Sequence, residues 1–545
     1  MESDYTDTSP VVRTTHGQVR GALLTTLYDE PYYSFDGIPY AQPPLGELRF
    51  REPQDVKPWQ GIRDCTEPKD KCFQLGSITQ EIEGCEDCLY LNISAKTLSS
   101  EKPLPVMVYV HGGVFRTGDP TRRSLGPDYL MREQVIYISI GYRLGVFGFL
   151  SFADPALNIP GNAGLKDVVL ALKWIKANVG SFNGDANNIT LFGHSSGSRM
   201  VHLMTMSPQA EGLFNKAILM AGQQHEIYNE PDVEYRLAKH LGYKGEKNDI
   251  DVFNFINAAD PGLLARSDYR SLYERLHSSS LPLFMPRVEY YATPTAVLLA
   301  EPRALQSSAW GNRLPLMLGS TSNEGLTFAL FYVKKDPEVL SLCRDHPEFM
   351  LPDTIRHGCT PDMARHLGQM LVKKFCGVHN TYLTKWHYQS IADLFTQNML
   401  HYEHRLLKTR LKYSQADNYL YRFNFDSPDF NFYRVRYLGK DSRGVLHADE
   451  LGYIFKLPAT FKLEKSRPEY TAICRFVSML TEFARSSNPN GPLTKSLVDW
   501  QPVTKEEPTM CLNINEELKF IEHPEYWRLK FYEQLYLSAG VEHIE

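Results

Sequence analysis

Short β-branched runs alternate with longer amphipathic stretches along this chain, and that alternation limits its fold more than any other feature. "LPVMVYVHGG" from Leu104 and "VIYISIGYR" from Val135 read as strands buried on both faces. "NAGLKDVVLALKWIKANVGSF" from Asn162 reads as a helix, because Leu165, Val168, Val169, Leu172, Ile175 and Val179 recur at three- and four-residue spacing. "NITLF", "FNKAILMAG", "LPLMLGS" and "NYLYRFNF" continue the strand series, and "SSGSRMVHLMTMS" is helical after its glycine. Strands separated by helices imply an α/β protein, with a large, mostly parallel sheet flanked by helices. Residues 230–313 and 334–412 are more helical and polar, and are expected to be insertions forming the walls of a pocket. Neither an internal repeat nor a low-complexity linker breaks the chain, so a single domain over residues 1–545 is expected.

Composition removes several function classes. The 545 residues are 43% hydrophobic, enough for a large core, and carry a formal net charge of -6 without a basic block. A nucleic-acid surface is therefore not expected. The N-terminus, "MESDYTDTSPVVRTTHGQVRG", lacks the apolar core of a signal peptide. The most apolar stretch, "VIYISIGYRLGVFGFLSF", is interrupted by Arg143 and glycines, so no membrane span is expected. These readings point to a soluble cytoplasmic protein, secreted only if a leader precedes this chain. The nine cysteines, an odd number, fit reduced thiols. Cys65, Cys72, Cys85 and Cys88 cluster as C-x6-C then C-x2-C, outside the usual ligand spacing of a zinc site. "NISA" at Asn92 and "NITL" at Asn188 match the glycosylation sequon, but both sit in strand-like runs.

"GHSSG", residues 193–197, matches G-x-S-x-G. That pattern encodes a sharp strand-to-helix turn: the glycines allow a strained backbone and close neighbours, and the central serine protrudes. The bare pattern arises by chance in roughly one chain in five of this length. Here it follows a strand and precedes a helix, as the mechanism requires. A serine nucleophile also needs a base and a carboxylate that orients the base. His194 adjoins the serine, but adjacent side chains on a tight turn point apart, so it is not assigned as the base. Ser198 reads as ordinary helix polarity. "HYEH", residues 401–404, is not in H-E-x-x-H order and reads as a solvated helix face.

Further motifs occur in a fixed order: "FDGIPYAQPPLGELRFREP" from Phe35, "CEDCLYLN" from Cys85, "HGGVF" from His111, "YRLGVFGFL" from Tyr142 and "PGNAGLKD" from Pro160. They are followed by "GSTSNEG" from Gly319, "GVLHADELGYIF" from Gly444 and "SSNPNGP" from Ser486. With "GHSSG" these motifs resemble the carboxylesterase/cholinesterase family over nearly the whole length. The details resemble its insect α-esterase branch. The resemblance implies an α/β-hydrolase fold, with Ser195 as nucleophile, His447 in "LHADEL" as base and Glu324 in "SNEG" as the orienting acid. It implies an oxyanion hole from the backbone N–H groups of Gly113, Val114 and Ser196. It implies hydrolysis of uncharged carboxylic esters of small or medium size, xenobiotic or lipid-derived, through an acyl-enzyme. No cofactor and no metal are expected, and the partner is a small-molecule ester.

The chain departs from the family at several points. Val114 stands where a third glycine is usual, and its β-branched side chain is expected to narrow the acyl pocket or weaken an oxyanion donor. Ala221 in "ILMAGQ" replaces a serine that supports the acid and histidine. Ser196 replaces an alanine, a conservative change. No tryptophan stands before "EDCLYLN", so the cholinesterase site for a choline cation is unsupported. Cys72 and Cys88 match a disulfide of secreted relatives, and are expected to be reduced in a chain without a leader. The C-terminal "EHIE" lacks the last residue of an H-x-E-L retention tail. An active carboxylesterase is the leading reading. A slow-turnover protein that sequesters esters or organophosphates is the alternative, and a cholinesterase-like adhesion protein the third.

Overall fold

A computed structural model describes residues 9–77, 79–223, 227, 231–267, 284–328 and 337–541. The first eight residues and the "EHIE" tail lie outside these, as do residues 230, 268–283 and 334–336 of the two insertions.

Eleven strands form the main sheet. In chain order they are β1 (Ala22–Thr25), β2 (Pro31–Pro39), β3 (Tyr90–Ala95), β4 (Leu104–Val110), β5 (Ile136–Ile140), β6 (Gly184–His194), β7 (Lys216–Met220), β8 (Leu316–Thr321), β9 (Asn418–Phe423), β10 (Met510–Ile514) and β11 (Lys519–Glu522). Their spatial order is β11-β10-β9-β8-β7-β6-β4-β5-β3-β2-β1. The seven strands from β10 to β5 run parallel, and the flanking pairs are antiparallel. The α/β-hydrolase architecture expected from the sequence is present.

The central strands read as unbroken apolar runs because both faces are covered. Val106, Val108 and Val110 of β4 pack into a core with Leu172 and Ile175 of α1 (Ala163–Asn178). Met107 and Tyr109, one residue out of phase, pack into a second core with Phe476 and Leu480 of α4 (Pro468–Ser486). That alternation is the period of two expected of a strand. β5 pairs with one edge of β4 and β6 with the other. The chain thus leaves the sheet in opposite directions around β4, and in open α/β sheets ligands bind beyond the carboxyl ends at such a point. Residues 111–114 and 194–196 extend from those strand ends.

Three sequence expectations are corrected. Cys72 and Cys88 are joined as a disulfide rather than reduced, with their Cα atoms 4.9 Å apart. The backbones of residues 72 and 85 are bridged, which folds this loop back on itself and brings the two thiols within bonding reach. "HYEH" is buried: His401, Glu403 and His404 sit in α3 (Tyr388–Tyr413), which packs against α5 (Tyr526–Ser538). His401 Nε2 lies 3.0 Å from the Tyr536 hydroxyl. The second insertion's long helix, α3, backs the loop after β8, as shown below. Ser198 is also buried, with its hydroxyl donating to the Gly222 carbonyl.

Candidate active site

Ser195 caps α2 (Ser196–Met206) directly after β6, with φ 56° and ψ -123°. A non-glycine residue with positive φ is strained and persists only where its surroundings hold it. Here the Ser195 N–H donates to the Met220 carbonyl of β7 at 2.8 Å. Its own carbonyl accepts from the Arg199 N–H at 3.0 Å. A Cβ on Gly197 would collide with the carbonyls of Val110 and His111, and one on Gly193 with the backbone of Gly197. Both glycines of the motif are therefore required by close backbone approach, as the sequence pattern predicts.

Two loops bring His447 and Glu324 together. Glu324 follows β8 and is fully buried, with Oε1 accepting from the Thr321 N–H at 2.7 Å. Gly325 donates its N–H to Thr396 Oγ1 of α3 at 2.9 Å, and a Cβ on it would strike the Ala392 carbonyl. The histidine loop is pinned by Asp449, which accepts from the N–H groups of Leu446, Tyr433 and Arg434. The loops are also tied to each other: Asn323 N–H donates to the Val445 carbonyl, and Val445 N–H to Asn323 Oδ1. His447 Nδ1 and Glu324 Oε2 share a short hydrogen bond. Burial disfavours the imidazolium, but the Glu324 charge and hydrogen bond outweigh it and raise the His447 pKa above 6.5.

His194 lies against this pair. Its ring centroid is 4.6 Å from that of His447, and its Nε2 is 3.3 Å from Glu450 Oε1. Burial, then repulsion from His447, drives its pKa well below 6.5, so the ring is neutral. Glu450 itself was not foreseen. It is fully buried, neither oxygen has a full hydrogen-bond partner among the described residues, and burial together with the Glu324 charge pushes its pKa up to about 8. The sequence offered one hint, a carboxylate three residues past His447.

The loop after β4 supplies backbone donors. Gly113, Val114 and Phe115 have φ of 121°, 58° and 61°. The Gly113 carbonyl accepts from the Arg116 and Thr117 N–H groups, both at 3.0 Å, which closes a tight turn. Among the described residues, the N–H groups of Gly113, Val114 and Ser196 have no protein acceptor. The Val114 side chain is 45% exposed, so it projects from the loop instead of packing into it. Ser196 is more than a neutral replacement: its hydroxyl accepts from the Phe115 N–H at 3.2 Å and ties this loop to the serine turn. Ala221, with φ 52°, donates its N–H to the Gly319 carbonyl and carries no side-chain hydroxyl.

Comparison with known proteins gives the family. The sequence model of the carboxylesterase family matches residues 8–532. The chain is 32% identical to Esterase B1 of Culex pipiens, over 97% of this chain and 98% of that one. It is 29% identical to the juvenile hormone esterase of Tribolium castaneum, over 92% of this chain and 87% of that one. The crystal structure of Manduca sexta juvenile hormone esterase superposes with a TM-score of 0.85 at 27% identity, covering 97% of this chain and all of that one. The protein belongs to the carboxylesterase family and is a carboxylic ester hydrolase.

Proposed function

We propose that this protein hydrolyses carboxylic esters of small or medium size through Ser195, His447 and Glu324. The observation that carries the reading is the His447–Glu324 hydrogen bond, held by two cross-linked loops, beside a Ser195 set on a strained turn between β6 and α2. Ser195 Oγ attacks the ester carbonyl carbon while His447 accepts its proton. Glu324 fixes the imidazole tautomer and faces the imidazolium that forms. The Gly113, Val114 and Ser196 N–H groups receive the charge on the carbonyl oxygen. The alcohol leaves with the proton from His447, and water then repeats the sequence on the acyl-enzyme. Xenobiotic and lipid-derived esters both fall within this chemistry, whereas a choline cation lacks its tryptophan. The relatives, named as esterases, support the reaction class.

A slow-turnover sequestering role is the second reading, favoured by the positive φ at Val114 and the missing hydroxyl at Ala221. Mixing the purified protein with an activated acetate ester separates the two. Continued product release after the first turnover is expected, and it disappears in Ser195→Ala. A single stoichiometric burst with no steady phase contradicts the esterase reading and supports sequestration.

A further inference from the structure

Where α3 and α5 pack together they enclose a cavity that none of the ester-cleaving groups lines. His404, Arg405 and Lys408 border it from α3, and Tyr532, Glu533 and Tyr536 from α5. On each helix these positions fall at spacings of three and four, and so share one face. The cavity has a free volume of about 20 Å³, which holds one particle of about the size of water and no organic molecule. Glu533 is the one acid among its lining residues. The way in from solvent passes Lys408 and Glu533, whose side chains are both partly exposed.

The charges around the cavity do not cancel. Glu533 is committed to Lys408, with which it forms a short ion pair, and its Oε1 also lies 3.4 Å from His404 Nε2. His404 is neutral at neutral pH, because burial lowers its pKa below 6.5. Lys408 and Glu533 therefore offset each other, and the charge of Arg405 is left over. Arg405 is only 8% exposed, and its guanidinium carbon stands 4.3 Å from the centre of the Tyr536 ring. That contact fixes the guanidinium at the cavity wall. A tyrosine face attracts a cation but leaves its N–H donors unused. Arg405 Nε is buried without a hydrogen bond, and among the described residues no carboxylate or carbonyl takes the guanidinium N–H groups. A buried cation without a counter-charge is costly. One small anion in the cavity supplies that charge and accepts charge-assisted hydrogen bonds from Arg405, and from the Lys408 protons that Glu533 does not use.

We propose that the cavity between α3 and α5 binds a monatomic anion, chloride, with Arg405 and Lys408 as its cationic walls. Its size turns away phosphate and carboxylate ligands. The bound ion would sit between the two helices and hold α5 against α3. The proposal is independent of the esterase reading.

Bromide stands in for chloride and scatters anomalously. In crystals of the whole chain soaked in sodium bromide, an anomalous peak in contact with the Arg405 guanidinium is expected, and it is lost in Arg405→Gln. In solution, the excess linewidth of the chloride-35 resonance reports binding as chloride is titrated. The native protein is expected to saturate, and the Kd to rise by about tenfold in Arg405→Gln. No bromide peak in the native cavity overturns the proposal, as does a peak or a Kd that Arg405→Gln leaves unchanged. Bromide bound in the crystal without saturable chloride binding in solution marks an adventitious ion only, and overturns it as well. Unchanged ester hydrolysis shows that Arg405→Gln is folded. If that variant does not fold, the native bromide map and chloride titration decide the question without it.

Discussion

Glu324 and Glu450 are both fully buried carboxyl groups set around His447, and they have opposite surroundings. Glu324 has a donor for each oxygen, the Thr321 N–H and His447 Nδ1. Neither Glu450 oxygen makes a full hydrogen bond among the described residues, the backbone N–H groups of Ala448 and Glu450 do not offset its burial, and the neutral His194 Nε2 lies 3.3 Å from Oε1. A buried carboxylate with two donors can face an imidazolium as its counter-charge, whereas one whose donors do not offset its burial keeps its proton near neutral pH. Residue type alone does not decide which acid serves the histidine. The donors that each loop supplies do.

The largest expected effect lies upstream of either acid. Ser195→Ala lowers kcat on an activated acetate ester by on the order of 10⁶-fold. Retention of more than about 1% of the rate would place the nucleophile elsewhere. A second effect follows from the raised His447 pKa. The base must be neutral, so kcat/KM rises with pH through a midpoint above 6.5. Removing the opposing charge in Glu324→Gln lowers that midpoint, and an unchanged or higher midpoint in the residual activity would break the pairing.

Stability should also depend on pH, with a defined sign. Burial raises Glu450 and Glu403 to about 8 and Asp449 to about 7. Between about pH 7 and 8, where the buried His194 and His401 are neutral in the folded and unfolded chain alike, the folded protein holds protons on these acids that the unfolded chain has lost, so stability falls as pH rises. Thermal midpoints recorded across that interval are expected to decline, less steeply in Glu450→Gln. A rise would contradict the protonated state of these acids. The smallest effect concerns Val114→Gly, which removes a side chain that is 45% exposed and relaxes a positive φ. Activity should increase severalfold on bulky acyl groups and little on acetate. A flat acyl series would show that the valine points away from the pocket.

The sheet was readable because strands such as β4 are buried on both faces and therefore apolar without interruption. The serine turn was readable because close backbone approach demands glycine at Gly193 and Gly197. The antiparallel flank was harder: "PYYSFDGIP" of β2 mixes polar and apolar residues, since Ser34 and Asp36 are buried by bonding each other. Glu450, Glu403 and the "HYEH" histidines were not legible as buried groups. Their burial comes from α5 and from loops distant in sequence, and local pattern carries no trace of that. The tether from Ser196 to Phe115 spans 81 residues and was hidden for the same reason.

Glu324→Gln and Glu450→Gln, measured side by side on one neutral ester at neutral pH, test the contrast directly. The account predicts that Glu324→Gln loses about 10⁴-fold in kcat, while Glu450→Gln loses less than about tenfold. Equal losses, or a larger one at Glu450, would contradict it.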